Sequence, residues 1–93
     1  DDPEDLRERQ EAALLTAADA CRTLQRELMV EIVAGSHGPV DGTTVARVLE
    51  RLYALGTRPD WWKLEPQADA AAWAAVEAAI REGDPWCRGV LLL

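Results

Sequence analysis

The sequence predicts an α/β fold of parallel strands, written as helix–strand repeats in the order α-β-α-β-α-β. Three observations lead there. Helix-spaced apolar stripes alternate with short β-branched or aromatic runs along the 93 residues, separated by turn residues. Strands alternating with helices of this length form parallel βαβ units with right-handed crossovers. Each strand also has one apolar face and one face bearing charges, whereas a doubly wound sheet covered on both sides needs both faces apolar.

Asp2-Pro3-Glu4-Asp5 opens the first helix with a capping Asp, a proline in the first turn and carboxylates near the positive end of the dipole. Leu6, Gln10, Ala13, Ala17, Cys21 and Leu24 follow helical spacing, apolar but for Gln10, and carry the helix to about residue 25. Glu8, Glu11 and the arginines of this helix read as its solvated face. "ELMVEIV" (27–33) is a strand by its β-branched content. Residues 34–40, with two glycines and a proline, form a loop. His37 in that loop has no second His or Cys at metal spacing, so it reads as a solvated turn residue and no metal is assigned.

Asp41 is placed as the cap of a second helix, in which Val45, Val48, Leu49, Leu52 and Leu55 form an apolar stripe and Gly56 ends the run. After Pro59 comes the strand "DWWKLE" (60–65), closed by Pro66. Asp69 caps a third helix with Trp73, Val76 and Ile80 on one face, and Gly83-Asp84-Pro85 breaks it. "CRGVLLL" (87–93) is the last strand. Trp73 and Trp86 read as core and hinge packing. Arg88 and Asp60 precede strands and read as surface groups at the strands' N-terminal ends.

Composition narrows the function. A net charge of −7 opposes nucleic-acid binding, which needs a basic patch. The apolar share of 48% suits a globular chain, but much of it is Ala and there is no Phe. Leu, Val, Ile and the four Trp must therefore supply the cohesion. Cys21 and Cys87 form neither a CxxC pair nor a metal quartet, so they read as free thiols of a reducing cytoplasm, with a structural disulfide as the alternative. No apolar run approaches the ~20 residues that span a bilayer, and no signal peptide is evident. No strand is followed by GxGxxG or GxxxxGK[ST], so no nucleotide cofactor is expected.

A (β/α)₈ barrel accommodates one-sided strands, because its inner face carries catalytic residues near the strands' C-terminal ends. Such a barrel takes about 250 residues. The expectation is therefore a single fragment over residues 1–93, about three of the eight units, with Leu91-Leu92-Leu93 cut within a strand. In this arrangement Lys63, the only lysine beside nine arginines, points inward. An amine there can attack a carbonyl and form a Schiff base if enough of it is neutral. Its ordinary pKa of about 10.4 must fall for that; desolvation beside Trp61 pushes that way and Glu65 the other. Glu31 on the neighbouring strand reads either as a proton shuttle or as the salt-bridge partner of Lys63. The plain alternative is a half-buried, paired lysine at a sheet rim, although a charge kept for solubility would serve equally well as Arg.

The stretch "ELMVEIV … TTVARVLERLYALGTRPDWWKLEP … DPWCRGVLLL" resembles the aldolase-like C-terminal domain fused to 5-dehydro-2-deoxygluconokinase in myo-inositol catabolism. That domain, long carried as one of unknown function, is similar to the class I tagatose-bisphosphate aldolases, which are (β/α)₈ barrels. Their imine-forming lysine lies in a strand motif close to K-[VL]-E-x-P. "KLEP" matches it with a shortened spacing to Pro66, so the resemblance gives Lys63 the imine role. Glu31 in "VEIV" matches the acidic residue ending the preceding strand. The resemblance implies cleavage of the phosphorylated keto-sugar acid 2-deoxy-5-keto-gluconate 6-phosphate without a cofactor, and a sugar-kinase domain upstream. It also implies further barrel strands and phosphate-binding loops that this sequence does not contain. Two other readings remain: a non-catalytic regulatory or docking domain attached to a sugar kinase, and an autonomous small α/β binding module.

Overall fold

The computed structural model of the chain describes residues 3–33 and 41–93. The Asp2 cap and the loop 34–40 with His37 lie outside the described residues. Six elements follow in the expected order: α1 (Pro3–Leu24), β1 (Met29–Ile32), α2 (Thr44–Ala54), β2 (Trp61–Leu64), α3 (Ala70–Gly83) and β3 (Gly89–Leu92). The strands form a three-stranded parallel sheet in the order β1-β2-β3. Sequential strands lie side by side, as successive right-handed crossover units place them. The class is α/β.

Val30 and Ile32 of β1 and Trp62 and Leu64 of β2 form the sheet's share of the core. Val45, Leu49 and Leu52 of α2 and Val76 and Ala79 of α3 pack against them, with Leu14 of α1 and Val90 of β3 at the margin. Of the expected α2 stripe, Val45, Leu49 and Leu52 are buried and Val48 and Leu55 half-buried, and Ala46 and Tyr53 join the buried face. Truncating Leu52 to Ala removes a buried side chain from this seam, and the expected cost is ~2–5 kcal/mol. An unchanged urea midpoint in Leu52→Ala would mean that the helix faces are misassigned.

The helix ends show why the chain turns where it does. Past α1, Arg26 N–H donates to the Cys21 carbonyl at 2.8 Å and Gln25 N–H to the Arg22 carbonyl at 3.2 Å. This double closure puts Gln25 at φ 56, a left-handed position more often filled by Gly. The same pattern ends α2, where Thr57 N–H reaches the Leu52 carbonyl and Gly56 N–H the Tyr53 carbonyl, both at 2.9 Å. Here the left-handed residue is the expected glycine, Gly56, at φ 93. Asp69 caps α3 as anticipated, accepting from Ala72 N–H at 2.8 Å.

Four sequence expectations need correction. Asp41 is not the cap of α2; the cap position is Thr43, whose side chain makes no capping bond. The Asp41 carboxylate instead accepts from the Thr43 N–H and hydroxyl, both at 2.7 Å, in a turn ahead of the helix. Those bonds, the hydroxyl first, hold its pKa below the ordinary value. The buried face of α1 is Glu11, Leu14 and Ala18, while Ala13 and Ala17 are exposed and Leu24 is 68% exposed. Glu11 is the clearest reversal: only 8% exposed, it pairs with Arg51 of α2, Oε2 lying 3.0 Å from Nε. A carboxylate answered by a guanidinium on another helix leaves no trace in its own helix's periodicity.

The third correction is Trp73. Val76 is buried and Ile80 packs against the core on the expected face, but Ala72 and Ala79 complete the buried surface while Trp73 is only half-buried, along a groove beside Val90 and Cys87. Alanines permit close approach to α2, so the small residues turn inward and the large ones sit at the margin. The fourth is Trp86, which packs against no hinge and is 88% exposed. Its N–H is bonded to the Asp84 carboxylate at 3.0 Å, which fixes the turn and leaves the indole outside.

Candidate functional site

Alternation along the strands sends Met29 and Glu31 of β1, Trp61 and Lys63 of β2, and Gly89 and Leu91 of β3 to the face away from the helices. No element of the described residues covers that face, and Met29 is 51% exposed. The register sets Glu31 opposite Lys63 and Lys63 opposite Leu91. Paired strands lie about 4.8 Å apart. The two sequence-predicted site residues are therefore nearest neighbours across the ladder, Lys63 half-buried and Glu31 exposed. Among the described residues, neither the Lys63 ammonium nor the Glu31 carboxylate forms an ion pair within 4.0 Å. Each head group is left able to turn toward a ligand.

Trp61 lies one same-face step before Lys63. Its benzo edge occupies the space over Gly89: a Cβ built on Gly89 would meet Trp61 Cζ3 at 3.2 Å. Gly89 has φ 154, a conformation that residues with a Cβ rarely adopt. Trp61 was legible in the sequence as a neighbour of Lys63, but Gly89 was not legible as its seat. The signal was the lone glycine inside a strand, which marks close approach by another group.

The opposite end of the sheet is tied down. The Asp60 carboxylate accepts the Leu28 N–H at 2.8 Å, Arg88 N–H donates to the Asp60 carbonyl at 2.8 Å, and Arg88 Nε lies 2.9 Å from Glu27 Oε1. Asp60 and Arg88 thus act at the strands' N-terminal ends, as their positions suggested. Cys21 and Cys87 are free thiols. Among the described residues, no group of three or more His, Cys, Asp or Glu is placed to hold a metal ion, and no helix is long and apolar enough to cross a membrane.

Beneath Lys63, on the helix side of β2, Trp62 Nε1–H donates to the Tyr53 hydroxyl at 2.7 Å, with the rings edge to face at 5.5 Å. Tyr53 was missed from sequence because it lies beside, not on, the α2 stripe. Burial, opposed by the bond from Trp62, pushes its phenol up to about 12. Burial likewise raises the Cys87 thiol. Folding therefore favours the protonated forms. The stability tied to Tyr53 is complete below about pH 10, its ordinary pKa, and is lost as pH rises toward about 12. The urea midpoint is expected to fall increasingly through this alkaline range, and to fall less steeply in Tyr53→Phe. Identical slopes in the two proteins would contradict this assignment.

A family model described as "Uncharacterized protein conserved in bacteria (DUF2090)" matches residues 1–93. No curated protein and no solved structure matches the chain.

Proposed function

The chain belongs to this bacterial family, and on that footing we propose that it is the part of a class I aldolase barrel that carries the imine-forming lysine. The substrate of this reading is 2-deoxy-5-keto-gluconate 6-phosphate, and the setting is a cytoplasmic protein that also carries a sugar kinase. The observation that carries it is the pairing of Lys63 with Glu31 across the ladder on the uncovered face. The likeness of "KLEP" to the aldolase strand motif supports it.

The Lys63 amine adds to the C5 ketone and water leaves, giving a protonated imine. A base removes the proton from the C3 hydroxyl. The C3–C4 bond breaks, its electron pair moves onto the iminium, and C3 departs as the aldehyde of malonate semialdehyde. The enamine is protonated at C4, and water releases dihydroxyacetone phosphate from Lys63. Glu31 is the proton carrier of this scheme: it is the residue paired with Lys63 on the neighbouring strand, and the C3 and C4 proton transfers need one group that can accept and return a proton.

The test is borohydride reduction of the natural full-length protein with the substrate present, followed by peptide mass spectrometry. A reduced three-carbon or six-carbon adduct on Lys63 is the expected result. Glu31→Gln should keep the adduct while turnover falls roughly 10²-fold or more. Absence of the adduct in active protein, with activity lost to a chelator, would replace the imine mechanism. Absence of both adduct and cleavage would favour the non-catalytic docking role.

A further inference from the structure

The uncovered face carries more than a reactive pair. Trp61 precedes Lys63 by two residues, which sets it about 6.6 Å lower along the strand at ~3.3 Å per residue. All three strands point the same way, so seen from their C-terminal ends Trp61 lies beneath the Lys63–Glu31 pair. Its indole extends sideways onto β3, where the absence of a side chain at Gly89 leaves room for it. The residue is half-buried on a face that no element of the described residues covers. Leu91 stands on one side of Lys63 and Glu31 on the other. A ligand whose carbonyl meets Lys63 therefore has an aromatic surface below it, a carboxylate on one side and an aliphatic wall opposite.

We propose that Trp61, held in place by Gly89, is the substrate-binding floor of the Lys63 site. The inference rests on the aldolase reading for the identity of the ligand but not for the floor itself. A polyhydroxylated ketone has the matching chemistry: C–H groups to lay against an indole, and a hydroxyl to turn toward Glu31. An indole offers a broad apolar body with low conformational freedom, so such a contact gains area at small entropic cost. The floor sets the height of the carbonyl relative to the amine, and Gly89 is a positioning residue acting through Trp61.

Calorimetric binding of 2-deoxy-5-keto-gluconate 6-phosphate to full-length protein carrying Lys63→Met, which forms no imine, isolates the floor from the chemistry. Adding Trp61→Ala should weaken Kd about tenfold or more, and Trp61→Phe should restore it to within about threefold. Gly89→Ala, with Trp61 retained, should weaken binding comparably, and the two changes together should do no more than Trp61→Ala alone. Near-UV circular dichroism checks that each variant is folded; if Gly89→Ala is not, the Ala and Phe variants of Trp61 decide the matter. A Kd unmoved by Trp61→Ala, or no binding to the Lys63→Met protein, overturns the proposal. Weakened binding without a borohydride adduct on wild-type Lys63 refutes the aldolase reading and leaves the floor standing. An adduct with an unmoved Kd does the reverse.

Discussion

Lys63→Arg is expected to reduce aldol cleavage at least about a thousandfold, equivalent to ~4 kcal/mol of barrier, while leaving the protein folded. The substitution separates charge from nucleophilicity. Guanidinium stays protonated and forms no imine under the conditions of turnover, yet it carries the same charge on a stem of similar reach. A lysine retained only for an ion pair would tolerate the exchange. The geometry sharpens the contrast, because Lys63 has no carboxylate within pairing distance among the described residues. It lies on the face opposite the core, so neither size nor charge disturbs Trp62 or Leu64. Steady-state kcat of the full-length variant, with a melting curve as the control for folding, gives the answer. Cleavage retained in a folded Lys63→Arg protein would end the imine mechanism.

Trp62→Ala should have the largest effect on stability, ~3–5 kcal/mol by the precedent of large aromatic truncations. Trp62 is fully buried in the centre of the middle strand, and it is the largest such side chain. Its removal opens a cavity in the core cluster and takes away the donor to the Tyr53 hydroxyl. Little rearrangement can refill the space, because Tyr53 is already held against α3. A Cβ built on Gly83 would lie 2.2 Å from the Tyr53 ring, so ring and helix are in contact with no room between them. Small domains have ~5–15 kcal/mol in all, so the variant should lose a large part of its stability. Tyr53→Phe should cost less, ~1–3 kcal/mol, for leaving the Trp62 N–H buried without an acceptor. Urea unfolding with an unchanged m value measures both. A shift below about 1 kcal/mol in Trp62→Ala would mean that the core does not rest on this residue.

The fold was legible wherever a residue's own periodicity carried the information. Alternation in "MVEI" and "WWKL" fixed which face of the sheet is apolar, and Glu31 and Lys63 came out on the same side for that reason alone. Proline and glycine marked the breaks at residues 56, 66 and 83–85. What escaped depended on two elements at once. Glu11 is buried because Arg51 meets it, and Tyr53 matters because Trp62 and Gly83 meet it. Ala72 and Ala79 outrank Trp73 in burial because α2 comes close, a reversal of what side-chain size alone suggests. The same limit applies to the site. The sequence placed the amine and the carboxylate on one face, but the seating of Trp61 on Gly89 required the register of β2 with β3.

The central position of β2 also governs how the site can move. It is bonded along both edges, to β1 and to β3, and each pairing joins positions about thirty residues apart. Fraying at an edge frees only part of such a strand, since its residues bond alternately to one neighbour and the other, each held through a long crossover. Lys63 and Trp62 are consecutive on it, facing opposite ways, so a slip of one position would exchange an indole in the core for a cation. Amides of β2 are thus expected to exchange more slowly than those of the edge strands β1 and β3. The backbone beneath the amine is a fixed post, and the adjustments that bring a carbonyl to it fall to the side chains and to the ligand.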